Sequence, residues 1–391
     1  MIPLTEALQI VLDSARPLES ERVDLADALD RVLAEDIPAD MDMPPFDKAT
    51  VDGYACRRAE LAHTLAVIET IPAGVPPSKQ IGPDQCAKIM TGAAMPQGAN
   101  CVIMIEQTET VGDNAIRFTG EQTPDNIFRR AQDIRSGQVV LPRGSRIGPQ
   151  HVAVLASVGH VRSLVARRPK VAILAGGDEL VGPAVRPGPA QIRNSNSSQL
   201  VAQLAVMGIE ARDCGMVKDV AAEIDRLLKA AIAENDVVLI SGGVSVGDFD
   251  LVPGVLRQND VRLLFEKMAV KPGKPTIFGL SRTGYCFGLP GNPVSTFVIF
   301  ELLVKPFLYR LMGYDYSPVE VEVRLAEAVV RKDTERQSWV PAKLTSATTA
   351  TPLEYHGSGH ILALCEADGL IAMDIGRTSI EKGTPVRVRL L

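Results

Sequence analysis

No run of twenty apolar residues occurs in this chain of 391 residues, and no basic segment leads into an apolar one, so nothing in it reads as a membrane span or a secretory leader. The opening Met1-Ile2-Pro3-Leu4-Thr5-Glu6 reads instead as the start of a helix capped by Thr5, and a cytoplasmic location is expected. A basic excess is missing as well. Lys and Arg total 41 against 47 Asp and Glu, a formal net charge of −6, which argues against a nucleic-acid-binding surface. There is no CxxC pair: Cys56, Cys86, Cys101, Cys214, Cys286 and Cys365 are scattered singly, without the spacing of a disulfide framework or a zinc site, and are expected as buried thiols. His356 and His360 have the spacing of a metal pair, but the intervening Gly357-Ser358-Gly359 denies them the helix such a pair requires. Neither a Walker A loop nor a GxGxxG fingerprint is present.

What the chain does have is a buried strand delivering a phosphate cradle. Val237, Val238, Leu239 and Ile240 are apolar without alternation, the pattern of a strand covered on both faces in a parallel sheet. Ser241, Gly242 and Gly243 follow, where backbone amides can approach an anion that any Cβ would hold off. Asp248 and Asp250 lie just beyond and would repel a bare phosphate, so their presence implies a divalent cation between them and the ligand.

The rest of the chain divides by texture. Apolar residues at helical spacing from Thr5 to Leu33, broken near Pro17, predict a pair of helices. Short β-rich pieces at 64–70, 85–90, 101–106 and 115–118 predict a compact β insert, and 151–158 a further helix. From Lys170 strands and helices alternate in the βα manner. Strands are predicted at 170–175, 209–213, 236–240, 261–266, 275–279 and 285–289, with helices at 196–207, 219–233, 251–256 and 293–311. Strands at 319–325, 338–344, 369–373 and 385–390 suggest a small C-terminal barrel.

Ligands of an open parallel sheet lie beyond its carboxyl-terminal edge, so the loops after the strands carry the chemistry. They hold Gly176-Gly177-Asp178-Glu179-Leu180, then Asp219, then the cradle, then Pro290-Gly291-Asn292-Pro293-Val294-Ser295. The last of these is either an oxyanion seat at a helix start or an ordinary turn into a helix. Lys267, Lys271 and Lys274 add cations, Lys271-Pro272-Gly273-Lys274-Pro275 being stiffened by two prolines. A solvated charged hairpin is the plainer reading of these lysines; acidic loops facing cationic ones favour a metal-assisted phosphate site. In the N-terminal half, Asp52 sits in Val51-Asp52-Gly53-Tyr54-Ala55 and Thr91 heads a long loop to Asn100; on chemistry alone Asp52 reads first as a helix cap or turn acid.

Together these segments resemble the molybdopterin molybdenumtransferase family, MoeA of bacteria and the E-domain of gephyrin. The resemblance rests on VDGYA at 51–55, TGAAMPQGA at 91–99, GGDEL at 176–180, SGGVSVGDFD at 241–250, KPGKP at 271–275 and LPGNPVS at 289–295, in the family's order over essentially the whole chain. It implies an elongated homodimer with a discontinuous helical linker domain (1–42 and 134–168), a β-rich insert (43–133), a doubly wound parallel α/β domain of MogA type (169–314) and a C-terminal β-barrel (315–391), the active site lying between the α/β domain of one subunit and the N-terminal domains of the other. The implied reaction inserts molybdate into adenylylated molybdopterin, releasing AMP with Mg²⁺ as cofactor. Carried over by motif, the catalytic positions are Asp52, Thr91, Asp133, Glu179, Asp219, Asp250 and Lys267. Substrate and oxyanion contacts fall to Ser241, Gly242, Gly243, Ser245, Lys271, Lys274, Pro290, Pro293, Ser295, Arg336 and Ser358, and Mg²⁺ to Asp219, Asp250 and Glu179. A molybdopterin adenylyltransferase and cofactor-accepting enzymes are the implied partners, with no nucleic acid or membrane. Where the family opens its last domain with Gly-Arg-x-x-Phe-x-Arg, this chain has Glu335-Arg336-Gln337-Ser338-Trp339-Val340-Pro341. Either Arg336 substitutes for the second arginine or oxyanion affinity has fallen, which keeps a divergent paralogue with altered oxyanion use as an alternative. An adenylyltransferase needs little beyond the α/β module, so the VDGYA and TGAAMP segments count against it. A dimeric scaffold is the non-catalytic alternative.

Overall fold

The computed structural model describes residues 1–244, 251–355 and 357–391. The chain forms two compact units, one of residues 1–22, 30–34 and 164–391, the other of 23–29 and 35–163. The second unit is built on a six-stranded sheet in the order Cys101–Met104, Gly53–Cys56, Gln85–Ile89, Thr64–Ile71, Ala115–Phe118, Thr108–Val111. Gly53–Cys56 is buried at all four positions because it is the interior strand that carries core on both faces, Ala55 with Ala87 and Val102 on one side, Tyr54 and Cys56 with Ile103 on the other. Cys56 stands directly opposite both Cys86 and Cys101, with 3.6 Å between the sulfurs of Cys56 and Cys101, so three of the cysteines scattered in sequence form a row across neighbouring strands. Cys56, Cys86, Cys101 and Cys286 are buried; Cys365 is exposed and Cys214 partly so.

In the first unit, strands β1 (Val171–Gly176), β2 (Ala211–Val217), β3 (Val237–Ser241), β4 (Arg262–Phe265), β5 (Ile277–Leu280) and β6 (Tyr285–Leu289) form a sheet in the order β2-β1-β3-β6-β5-β4. The unbroken apolar run of β3 follows from its position: Val237 and Leu239 enter one core with Phe278 and Phe287, while Val238 and Ile240 enter the other with Leu174 and Cys286. Helix α1 (Asn196–Val206) covers the first face through Leu200 and Leu204, and α2 (Ala221–Glu234) and α3 (Val252–Gln258) cover the second through Ile224, Leu228, Val255 and Leu256. The sheet is mixed rather than wholly parallel. β5 runs antiparallel to both β6 and β4; the four residues 281–284 that link β5 to β6 permit only a hairpin.

Two predicted helices are corrected. Only Leu4–Ser14 of the first pair is helical, with Pro3 rather than Thr5 at its cap; Ser20–Asp24 is a strand and Leu25–Asp27 one 3₁₀ turn. Asp30 takes φ +62°, which ends any helix there, and Leu29 is 46% exposed, so the periodic leucines do not share a buried face. The long helix from Pro293 is divided into α4 (Pro293–Ile299), a π-helical stretch Phe300–Val304, and α5 (Lys305–Leu311). Pro306 has no N–H to give to the turn before it, and the wider π turn absorbs that loss.

Beyond α5, strands β7 (Glu320–Leu325), β8 (Gln337–Ser346), β9 (Thr349–Pro352), β10 (Gly369–Met373) and β11 (Pro385–Leu390) pair in the cycle β8-β9-β7-β11-β10-β8, a closed five-stranded barrel around Leu325, Ala342, Ala350, Ile371, Met373 and Val388. Pro341 is buried within β8, opposite Leu370 of β10. Among the described residues no helix is long and apolar enough to cross a membrane.

Candidate active site

Strands β1, β3 and β6 are adjacent and parallel, and their registers align Ala175 with Ser241 and Ser241 with Leu289, so the three following loops leave the sheet at one level. A cavity of about 940 Å³ opens there, in the first unit, lined by Gly176–Gly177, Ser241–Val244 and Pro290–Pro293. β2 and β3 flank β1 on opposite sides, so the strand order reverses between β1 and β3, the switch point at which α/β folds bind ligands.

The cradle requires its glycines. Gly242 takes φ +91°, and a Cβ there would fall 2.3 Å from the carbonyl oxygen of Gly176; Gly243 takes φ +67°. Ser241 is buried and its hydroxyl accepts a hydrogen bond from Asn196 Nδ2 at 2.6 Å, while the same amide group reaches the Gly291 carbonyl at 2.8 Å. Asn196 therefore fastens the cradle to the Pro290–Pro293 loop from the first residue of α1. Its Oδ1 and the hydroxyl of Tyr355 are buried without a partner among the described residues, and both residues line the cavity. An acceptor and a hydroxyl left unsatisfied there cost stability unless a ligand or water meets them. Burial pushes the Tyr355 phenol up to about 12.

The same cavity carries cations. Lys271, Lys274, Arg336 and Arg193 line it, as do Ser295 and Ser358. Ser358 is held by Asn292, whose Nδ2 donates to its Oγ at 2.8 Å, and its carbonyl accepts the amide of Val294 at 3.2 Å. The Val294 amide at the helix start is thus already used. Lys271 Nζ lies 3.8 Å from Asp333 Oδ2, which also accepts Arg336 Nη2 at 2.5 Å.

Two carboxylates face the cavity. Glu179 is exposed and folds back over Gly177, whose Cβ would lie 2.5 Å from its Oε2, and Asp219 Oδ1 lies 3.9 Å from where a Cβ of Gly243 would stand. Asp219 also donates its amide to Asp178 Oδ1 at 3.2 Å. Among the described residues no group of three His, Cys, Asp or Glu gathers around one point. Ser245, Asp248, Asp250 and His356 lie outside the described residues.

Three family descriptions tile the sequence: "MoeA N-terminal region (domain I and II)" matches residues 2–159, "Probable molybdopterin binding domain" 172–310, and "MoeA C-terminal region (domain IV)" 322–391. The chain is similar over its whole length to a molybdopterin molybdenumtransferase of Bacillus subtilis, at 35% identity and covering 94% of that protein, and to one of Staphylococcus epidermidis at 34% and 95%. A solved molybdopterin biosynthesis MoeA protein of Pyrococcus horikoshii superposes with a TM-score of 0.87 at 30% identity, each chain covered completely. The chain belongs to the MoeA family of molybdopterin molybdenumtransferases.

Within this MoeA chain the motif residues fall into three places. Glu179, Asp219, Ser241, Gly242, Gly243, Lys271, Lys274, Pro290, Pro293, Ser295, Arg336 and Ser358 line the one cavity. Lys267 does not; it lines a second, smaller depression with Met1, Ile2, Pro253 and Glu266, and Val244 touches both. Asp52, Thr91 and Asp133 belong to the other unit. There the two N-terminal motifs meet: Asp52 Oδ1 accepts both the amide of Thr91 at 2.6 Å and its hydroxyl at 2.7 Å. These two hydrogen bonds, the backbone one first, hold the Asp52 carboxyl below its ordinary range. Asp133 is exposed, its amide bonded to the Met43 carbonyl at 3.0 Å. Sequence reasoning missed Asn196, Asp333 and Tyr355. The run Asn194-Ser195-Asn196-Ser197 directly after a strand was an available signal for the first, whereas nothing local marks the other two.

Proposed function

We propose that this cavity inserts molybdate into adenylylated molybdopterin with release of AMP. The observation that carries the reading is the division of one cavity into a glycine cradle, a cationic wall and a pair of carboxylates, in a chain of the MoeA family. Molybdate is a tetrahedral dianion. Lys271, Lys274 and Arg336 supply charge for it, and Ser295 and Ser358 supply hydroxyls. The Ser241–Gly243 turn suits a phosphate, and Asn196 and Tyr355 line the same cavity.

The donor set fits Mg²⁺, which is commonly held by one or two carboxylates completed by substrate phosphates and water. Glu179 and Asp219 would hold it, with Asp250 from the family motif. Bound there, it would offset the charge of the phosphate link that is broken. The chain's own contribution is positioning: the oxyanion and the dithiolene must meet, and fixing both on rigid strand ends supplies much of the rate. We further infer a cytoplasmic homodimer in which Asp52, Thr91 and Asp133 of one subunit act with the cavity of its partner. A molybdopterin adenylyltransferase and the enzymes that receive the finished cofactor are the proposed partners.

Charge-removing variants test the reading. Asp52→Asn and Lys274→Ala should each abolish molybdenum insertion while the protein melts and assembles as the wild type does. Wild-type turnover in either variant would remove that residue from the mechanism.

A further inference from the structure

Lys271 and Arg336 reach the cavity from different parts of the sequence, one from the short strand Val270–Lys271, which pairs with Gln337 and Ser338 at the start of β8, and the other from the residue just before β8. Asp333 joins them. Its Oδ2 accepts Arg336 Nη2 at 2.5 Å and lies 3.8 Å from Lys271 Nζ, and its Oδ1 accepts the amide of Glu335 at 3.1 Å. The segment carrying Asp333 and Arg336 is fixed by Arg331, whose guanidinium donates to the Arg336 carbonyl at 2.5 Å, to Ser338 Oγ at 2.6 Å, to the Arg377 carbonyl at 2.8 Å and to the Asp374 carbonyl. Arg331 thereby spends its donors on the protein itself, and of this cluster Arg336 and Lys271 are the cations that line the cavity.

An oxygen shared between a guanidinium and an ammonium at the edge of a cavity is the arrangement expected of a bound oxyanion. Here the oxygen belongs to the protein. Its side chain is one-third exposed and has room to turn towards water. We propose that Asp333 is a built-in counter-anion, which occupies the cations of the oxyanion subsite when it is empty and weakens the subsite's hold on the incoming tetraoxo dianion. The inference rests on the reading of Lys271 and Arg336 as oxyanion ligands, and it assigns the carboxylate a role opposite to the obvious one of orienting Arg336. A counter-anion keeps two neighbouring cations from repelling each other in the free enzyme. It also limits the affinity for the free dianion.

The test is calorimetric titration of the full-length protein with sodium molybdate at fixed ionic strength, using wild type, Asp333→Asn, Asp333→Glu and Lys271→Ala, with melting curves as the check on folding. Removing one negative charge a few ångströms from a partly screened dianion should tighten binding about five- to ten-fold in Asp333→Asn. Asp333→Glu, which keeps the charge, should bind within about two-fold of wild type, and the advantage of Asp333→Asn should shrink as salt is raised. Equal or weaker binding by a folded Asp333→Asn overturns the proposal and assigns the carboxylate to orienting Arg336. In that case Lys271→Ala still loses molybdate and the wider reading stands. If wild type and Lys271→Ala both fail to bind molybdate saturably, the oxyanion reading itself fails and the role of Asp333 falls with it.

Discussion

Gly242 shows how little latitude the site allows to a single residue. Its φ of +91° disfavours any side chain, and the nearest obstacle to a Cβ is the backbone oxygen of Gly176, which cannot swing aside. Gly242→Ala should therefore cost about 2–4 kcal/mol in urea unfolding, and should weaken phosphate-bearing ligands more than it weakens molybdate. A variant with wild-type stability would show that the turn can relax. The glycines, the proline-flanked lysines and the strand-end acids were legible in sequence because each has a local cause: a backbone conformation, a stiff loop, a position after a strand. Asp333 and Tyr355 were not, since their significance comes from partners brought together by the barrel. Arg336 was legible only through the resemblance; it lines the cavity, whereas Pro341 is buried in barrel strand β8 opposite Leu370.

At the scale of elements, strand β3 is fixed at both ends. Its far end carries the cradle, and Asp236, just before its first residue, accepts both guanidinium nitrogens of Arg167, at 2.8 and 3.0 Å, and the amide of Lys170 at 2.7 Å. Burial raises the Asp236 carboxyl, but the bonds from Arg167 and Lys170 outweigh it and hold the group below its usual range. A carboxyl depressed in the folded state adds stability that is fully present above its unfolded value, about pH 4, and is lost as pH falls through the folded value. Asp236→Asn should accordingly be less stable than wild type at pH 7 by chemical denaturation, with the gap closing below about pH 4; a gap independent of pH would contradict the ion pair. The strands and helices of this domain were legible because their apolar patterns are set by burial between two helical layers. The failures have physical causes too. Leucines from Leu25 to Leu33 imitate a helix until Asp30 turns the chain, β5 reverses because its link to β6 is too short for a crossover, and Pro306 forces the π turn.

For the whole molecule, a formal charge of −6 coexists with a cavity whose wall presents Lys271, Lys274 and Arg336, so the attraction felt by an anionic substrate is local to the site. The family and the general architecture were legible from six motifs spread over the chain, since motifs in fixed order constrain a fold more tightly than any one of them. Assembly is a separate expectation. Sedimentation equilibrium should give twice the mass of the 42.0 kDa chain at micromolar concentration, and a monomer that retains full activity would exclude a site shared between subunits. The most direct test of the central claim follows AMP release and pterin-bound molybdenum together, with purified protein, adenylylated molybdopterin and Mg²⁺. Both should appear in equal amounts, and only when molybdate is added; AMP released at the same rate without molybdate, or no AMP at all, would contradict the account.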